Sequence, residues 1–276
     1  MTGGIVNQAH VQALLDAHVR EIERCNQRGG RMLSLVDLLE AGSVDLPLAA
    51  YMAAAMRNSA SLLVGARPGG AGKTAVMCAL LNFLPDRTAI RPVDHRAVLA
   101  QGLVDAQLGK TCYLAHEIGA GSWYAYVWGE QAQILIQLAA EGHIVASNLH
   151  ADTLEETRAQ HCEENGVARA HLDAVALKVY LGVARGLGGS PGSRWRRWVR
   201  QVYENDGAQD RLLFEGTREG VFRRVAESRV VSPAQEAEYA AFLSALQRQG
   251  RRTIQEVRRA LVAWPTKSLD SQHLSP

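Results

Sequence analysis

The chain has 276 residues, 47% of them apolar, which is enough to bury a sizeable core and excludes wholesale disorder. A formal net charge of only +2 provides no general electrostatic footprint for nucleic acid or anionic lipid. Cys25, Cys78, Cys112 and Cys162 are widely spaced without a C-x-x-C motif, which fits a reducing cytoplasm, and no apolar run approaches the roughly 20 residues that span a bilayer.

The first residues lack a basic segment followed by an unbroken apolar one, so no signal peptide is expected. Val11, Leu14, Leu15, His18, Val19 and Ile22 recur at helical spacing and predict a helix over 9–27, stopped by Gly29-Gly30. A compact segment at 33–42 and a helix at 47–58 lead into an apolar strand at 60–64. After a glycine-rich loop, a helix spans 73–83 and Pro85 ends it. A strand at 88–90, a helix at 99–108 and a buried strand at 111–115 follow, the last closing on His116-Glu117. A helix at 131–141 and a strand at 143–148 continue the alternation, and Thr153-x-x-Glu156 reads as a capping box. Cys78 and Cys112 sit in these apolar runs and read as small buried hydrophobes.

Alternating elements of this kind predict an α/β fold with a mainly parallel sheet and helices on its faces. Beyond residue 173 the pattern changes. Strands at 175–183, 195–203 and 211–222, separated by turn-prone stretches, predict a small antiparallel unit. Two helices close the chain, one opened by Ser232-Pro-Ala-Gln235 and ending at Gly250, the other over 253–264. The expected organisation is a helical segment over 1–45, a core over 46–185 and a β-hairpin and helical extension over 186–276; there is no internal repeat.

The strongest local signal is Gly69-Gly70-Ala71-Gly72-Lys73-Thr74, set between a strand and a helix. Phosphate needs converging N–H donors that no side chain obstructs, and the following helix adds its positive end. Gly69, Gly70, Ala71, Gly72, Lys73, Thr74 and Ala75 are therefore the expected nucleotide-binding set. In that set Lys73 reaches the β- and γ-phosphates and the Thr74 hydroxyl ligates Mg²⁺. The pattern G-x-x-x-x-G-K-[ST] wants a glycine where this chain has Arg67, so the loop is expected to be enlarged at its start, with Pro68 fixing one φ angle. The bland alternative is a glycine-rich turn with an accidental Gly-Lys-Thr.

Several further segments resemble the secretion and pilus-motor ATPases, which include the PilT-like proteins, and most closely their tight-adherence, CpaF-like branch. Leu33-Ser-Leu-Val-Asp-Leu-Leu-Glu-Ala-Gly-Ser, a helix, Ser-Leu-Leu-Val and the glycine loop occur in that branch's order, and Asn82-Phe-Leu-Pro85 is similar to the phrase after its loop. Ala140-Glu-Gly-His-Ile-Val-Ala-Ser-Asn-Leu-His-Ala-Asp152 is similar to its histidine box, with His143 and His150 seven apart. The resemblance covers about residues 33–185. It implies a RecA-like core that hydrolyses ATP with Mg²⁺ as a hexameric ring, each site completed by a neighbouring subunit. It also implies a cytoplasmic motor that works on a membrane-embedded platform protein of a pilus or secretion apparatus through protein contacts, without inserting in the membrane itself.

By position, Glu117 matches the glutamate of the second nucleotide motif, which holds Mg²⁺-bound water or senses the γ-phosphate. His143 and His150 are expected near the γ-phosphate or the subunit boundary. The family's Ile-Glu-Asp segment corresponds here to Ala89-Ile-Arg-Pro-Val-Asp-His95, which has no glutamate, so Asp94 is the only acidic candidate to polarise water. The arginine that usually follows the second-motif glutamate is also missing, and the larger N-terminal domain shrinks to roughly 45 residues. Losing a water-orienting group slows turnover while leaving binding intact. A nucleotide-dependent switch with weak hydrolysis is therefore the second hypothesis. The mixed cluster Arg194-Trp-Arg-Arg-Trp-Val-Arg200 motivates a third, nucleic-acid binding, against which a solvated strand face is the favoured reading. Trp123-Tyr-Ala-Tyr-Val-Trp128 is expected to pack on the core.

Overall fold

The structure is a computed structural model that describes residues 2–26, 29–105, 109, 111–121, 123–185 and 195–264. Helices α1 (Thr2–Arg24), α2 (Leu35–Glu40) and α3 (Leu46–Arg57) precede strand β1 (Leu62–Gly65). Then come α4 (Lys73–Leu81), β2 (Ala89–Pro92), α5 (Arg96–Val104), β3 (Thr111–Ile118), the two-residue β4 (Tyr126–Val127), α6 (Glu130–Ala140) and β5 (Ile144–Leu149). Helix α7 (Leu154–Arg158) continues into a π-helical turn (Ala159–Glu164) and the short α8 (Arg169–Asp173). The remainder is β6 (Leu177–Ala184), β7 (Arg196–Asn205), β8 (Asp210–Gly216), β9 (Phe222–Arg224), α9 (Pro233–Arg248) and α10 (Ile254–Ala263).

Among the described residues all strands join one sheet, in the order β2-β3-β5-β1-β6-β7-β8-β9, with β4 paired to β3. The pairs from β2 to β6 are parallel, and those from β6 to β9 are antiparallel. The antiparallel strands expected as a separate small unit thus continue the main sheet through β6. The single strand expected over 211–222 is two strands, because a turn in which Thr217 and Val221 bond to each other separates β8 from β9. The helix expected over 99–108 starts three residues earlier, and residues 106–108 lie outside those described.

Side chains alternate across the pleat and divide the core in two. Leu62, Val64, Cys112, Leu114, Ile144, Ala146, Leu177 and Val179 face the cluster packed by α1, α2, α3, α4, α9 and α10. Leu63, Tyr113, Ala115 and Val145 face the smaller cluster that α5, α6 and α8 cover. Cys78 and Cys112 are buried and free, as expected of small hydrophobes; Cys25 is also buried and free, and Cys162 is half-buried.

Local signals explain the helix starts. Ser34, Asp45, Ser232 and Thr253 each accept a hydrogen bond from a first-turn amide of the helix they precede. Thr153 does the same for α7, but the Glu156 carboxylate accepts from the Asp152 amide at 2.7 Å, so only half of the expected box forms.

The end of the phosphate-loop helix is anchored by charge. The buried Arg258 guanidinium donates to the carbonyls of Asn82 (2.9 Å), Leu84 and Pro85 (3.1 Å), just past the end of α4. His18 of α1 bonds the Leu81 carbonyl at 3.0 Å, so α1 and α10 both grip the same helix end. Across the sheet, Lys178 and Asp210 form a fully buried ion pair at 2.7 Å. Burial pulls the Lys178 ammonium below its ordinary value, and Asp210 partly restores it.

Candidate functional site

The carboxyl ends of β1, β3 and β5 converge on one edge of the sheet, where open parallel sheets place their ligands. Gly65 ends β1 where a Cβ would lie 2.5 Å from the Ala151 carbonyl and 2.8 Å from the Tyr180 ring, so only glycine lets the loop leave there. Gly70 and Gly72 take left-handed φ of +80° and +99°. Gly72 is the N-cap of α4 and supplies no side-chain acceptor, which leaves the first-turn amides of Lys73, Thr74 and Ala75 to serve an anion.

The absent first glycine has a physical account. Among the described residues the non-glycines with positive φ are Ser59 and Ala125, so Arg67 keeps an ordinary backbone. Its amide donates to Asp152 Oδ1 at 2.8 Å and its guanidinium to Glu156 at 3.1 Å. The start of the loop is thus tied to the residues just after β5 instead of turning through a glycine.

Within the loop's reach, Lys73 Nζ donates to the Ala66 carbonyl at 3.1 Å and to Glu117 Oε1 at 3.3 Å, and lies 3.5 Å from His150 Nδ1. The other ring nitrogen of His150 contacts Glu117 Oε1, and Tyr126 donates its hydroxyl to Glu117 Oε2 at 3.3 Å. Burial lowers the Lys73 pKa, with Glu117 opposing the shift. His116, beside Glu117, is buried with its ring stacked on Tyr126 at 6.0 Å, and burial likewise pulls its pKa down. The group lines a cavity of about 460 Å³ with Gly69 to Ala75, Met32, Leu33 and Arg197.

Asn148 was not singled out by sequence and is central. Its amide donates to the Thr74 hydroxyl at 3.4 Å and to the His116 carbonyl at 2.8 Å, while its carbonyl oxygen is buried without a hydrogen-bond partner. The sole hint is a polar residue ending an apolar strand run.

Among the described residues no cluster of three or more His, Cys, Asp or Glu forms a metal cage. Thr74 and Glu117 instead offer one hydroxyl and one carboxylate, which suits Mg²⁺, an ion that keeps waters and phosphate oxygens around few protein ligands.

Two expected residues lie apart. His143 is buried at the opposite end of β5, bonding the Gly102 carbonyl at 3.1 Å with its ring edge-on to Tyr113 at 5.3 Å. Seven strand residues at about 3.3 Å each separate it from His150 by roughly 20 Å, so it packs the core and does not meet the loop. Asp94 is exposed between β2 and α5 and does not line the cavity.

The basic stretch of β7 is partly solvated, with Trp195 and Arg197 exposed and Arg196 and Arg200 half-buried. Arg196 donates to the Gly42 carbonyl at 3.3 Å, Arg197 to the Gly70 carbonyl at 2.6 Å, and Arg200 to the Asp152 carbonyl. Arg194 lies outside the described residues. Of the aromatic stretch, Trp128 packs on the core and Tyr126 joins the site, whereas Trp123 and Tyr124 are exposed.

The mainly parallel sheet, whose central strand β1 runs through this glycine loop into a helix with the Glu117 strand two places away, is the mixed α/β architecture that the sequence predicts. No protein family matches the chain by sequence, and no curated protein does. Among solved structures it is similar to the VirB11 ATPase from the Brucella suis type IV secretion system in complex with sulphate. That likeness has 21% identity over 62% of this chain and 54% of the other, with a TM-score of 0.41. It is also similar to the Legionella pneumophila ATPase DotB, at 9% identity over 80% of this chain and 59% of the other, with a TM-score of 0.39. The chain thus spans less than two thirds of the length of either structure.

Proposed function

We propose that the chain binds Mg-ATP in the phosphate loop and hydrolyses it slowly, as a subunit of a cytoplasmic motor that powers a pilus or secretion apparatus. The observation that carries the nucleotide reading is the open start of α4. Gly70 and Gly72 are left-handed, no side chain caps the helix, and the Lys73 ammonium waits 3.3 Å from Glu117 inside the cavity. The order of motifs from Leu33 to Asp152 supports the motor reading, with a homo-oligomeric ring docked on a membrane-embedded platform protein.

Thr74 and Glu117 would hold Mg²⁺, which would supply charge neutralisation for the phosphates. Backbone amides of the loop hold the phosphates and Lys73 turns from Glu117 to the γ-phosphate. Water attacks the γ-phosphorus as the bond to the bridging oxygen breaks, giving ADP and phosphate. Asn148 fixes the Thr74 hydroxyl and the His116 backbone, and His150 and Tyr126 hold the Glu117 carboxylate in orientation.

One observation favours the second reading, a switch with little hydrolysis. Among the described residues Glu117 is the one carboxylate lining the cavity, and it already serves Lys73, His150 and Tyr126. Steady-state phosphate release separates the readings. Turnover that Lys73→Ala abolishes supports the motor, whereas tight Mg-ATP binding without turnover supports the switch.

A further inference from the structure

A second cavity, of about 720 Å³, opens on the far side of the phosphate loop between α2, the start of α4 and β7. That volume is within the roughly 300–1,000 Å³ of small-molecule sites. Its walls include Leu38, Val76, Leu181, Trp195 and Trp198. Leu33, Ala71, Gly72, Ala75 and Arg197 line both cavities, so the two meet along the loop itself.

The loop has a direction. Lys73, Glu117 and His150 mark the γ-phosphate end, and all three line the first cavity and not the second. Loop amides take the α- and β-phosphates, so the nucleoside leaves by the other end. Ala75, the last expected phosphate-binding residue, stands there on the boundary of the second cavity. Resting on the reading that the loop takes a nucleoside triphosphate, we propose that the base and ribose lie in this second cavity, with the Trp195 indole as the stacking surface for the base.

The two tryptophans have different duties. Trp198 is built in: its Nε1 donates to the Gly216 carbonyl at 3.2 Å, and its ring lies so close to Gly182 that a Cβ there would come within 2.3 Å. Trp195 is half exposed, at 50%, with the Arg185 guanidinium 5.9 Å from its ring centre. A large indole left open on a cavity wall beside a phosphate site is a surface that a planar base covers. Arg197 spans the boundary, its Nε on the Gly70 carbonyl at 2.6 Å and its Cδ near Gly72. Stacking reads the presence of a base more than its identity, while Ser43, Arg218 and Glu219 on the same wall offer polar groups to its edges.

The test is calorimetric titration of the full chain with Mg-ATP, Mg-GTP and Mg-tripolyphosphate, for wild type, Trp195→Ala, Trp195→Phe and Lys73→Ala. The proposal expects wild type to bind both nucleotides at least about tenfold tighter than tripolyphosphate. Trp195→Ala should erase most of that advantage with tripolyphosphate affinity unchanged, and Trp195→Phe should keep most of it. A nucleotide advantage that survives in Trp195→Ala at wild-type melting temperature overturns the proposal, as does equal binding of ATP and tripolyphosphate by wild type. If neither probe binds in a Lys73-dependent way, the phosphate-loop reading itself fails and this one falls with it.

Discussion

Acid should loosen this fold well before its carboxylates titrate, because buried histidines, His18 and His161 foremost, are held uncharged. His18, on α1, is held at a pKa of about 3 by burial and by the nearby Arg258 charge. His161, in the π-helical turn, is held at about 4, again mainly by burial. Both are depressed below the ordinary 6.5. The unfolded chain therefore takes up protons first, so this stability is fully present above about pH 6.5 and is lost as the pH falls below it. At pH 5 each unfolded imidazole gains about 1.5 pH units of protonation free energy, or about 2 kcal/mol, while both folded rings stay neutral. The pair thus costs about 4 kcal/mol between pH 7.5 and 5, and the melting temperature should drop by roughly 10 °C. Chemical denaturation at pH 7.5, 6 and 5 reads this directly. His18→Gln keeps a donor for the Leu81 carbonyl and should remove about 2 kcal/mol of the acid loss. Equal stability at pH 5 and 7.5, or an unchanged acid loss in His18→Gln, would refute the reasoning.

Glu117→Gln should lower phosphate release at least about 100-fold while Mg-ATP affinity stays near wild type, since the carboxylate acts on charge that develops in the reaction. Steady-state turnover beside a binding titration checks both halves. Lys178→Met should cost about 1–3 kcal/mol in denaturant unfolding, because Asp210 loses its buried ammonium partner but keeps Arg158 and Asn205, each at 3.1 Å.

The α/β alternation and the glycine loop were legible because each rests on local chemistry, apolar periodicity and bare amides before a helix, whereas Glu117 came only from the resemblance of its strand end to a known motif. The rest depends on contacts between distant segments. Nothing near Asn148 in sequence announces Thr74, and nothing near Arg197 announces the Gly70 carbonyl that β7 brings it to. His143 and His150 look equivalent by spacing, yet they fall at opposite ends of β5, because a strand carries residues seven apart from one edge of the sheet to the other. Arg67 shows the converse. A missing glycine looked like a fault in the loop, and Asp152 and Glu156 supply the hydrogen bonds that make it unnecessary. Likewise β4 and α8 are too short to leave a periodic trace.

The central claim is that the amides around Gly70 and Gly72, with Lys73, enclose a triphosphate. Isothermal titration of Mg-ATP into the folded wild-type chain and into Lys73→Ala tests it most directly. Saturable heat in wild type that the substitution removes is the predicted result. Silence from folded wild type with both Mg-ATP and Mg-ADP, or undiminished binding by Lys73→Ala, would contradict it.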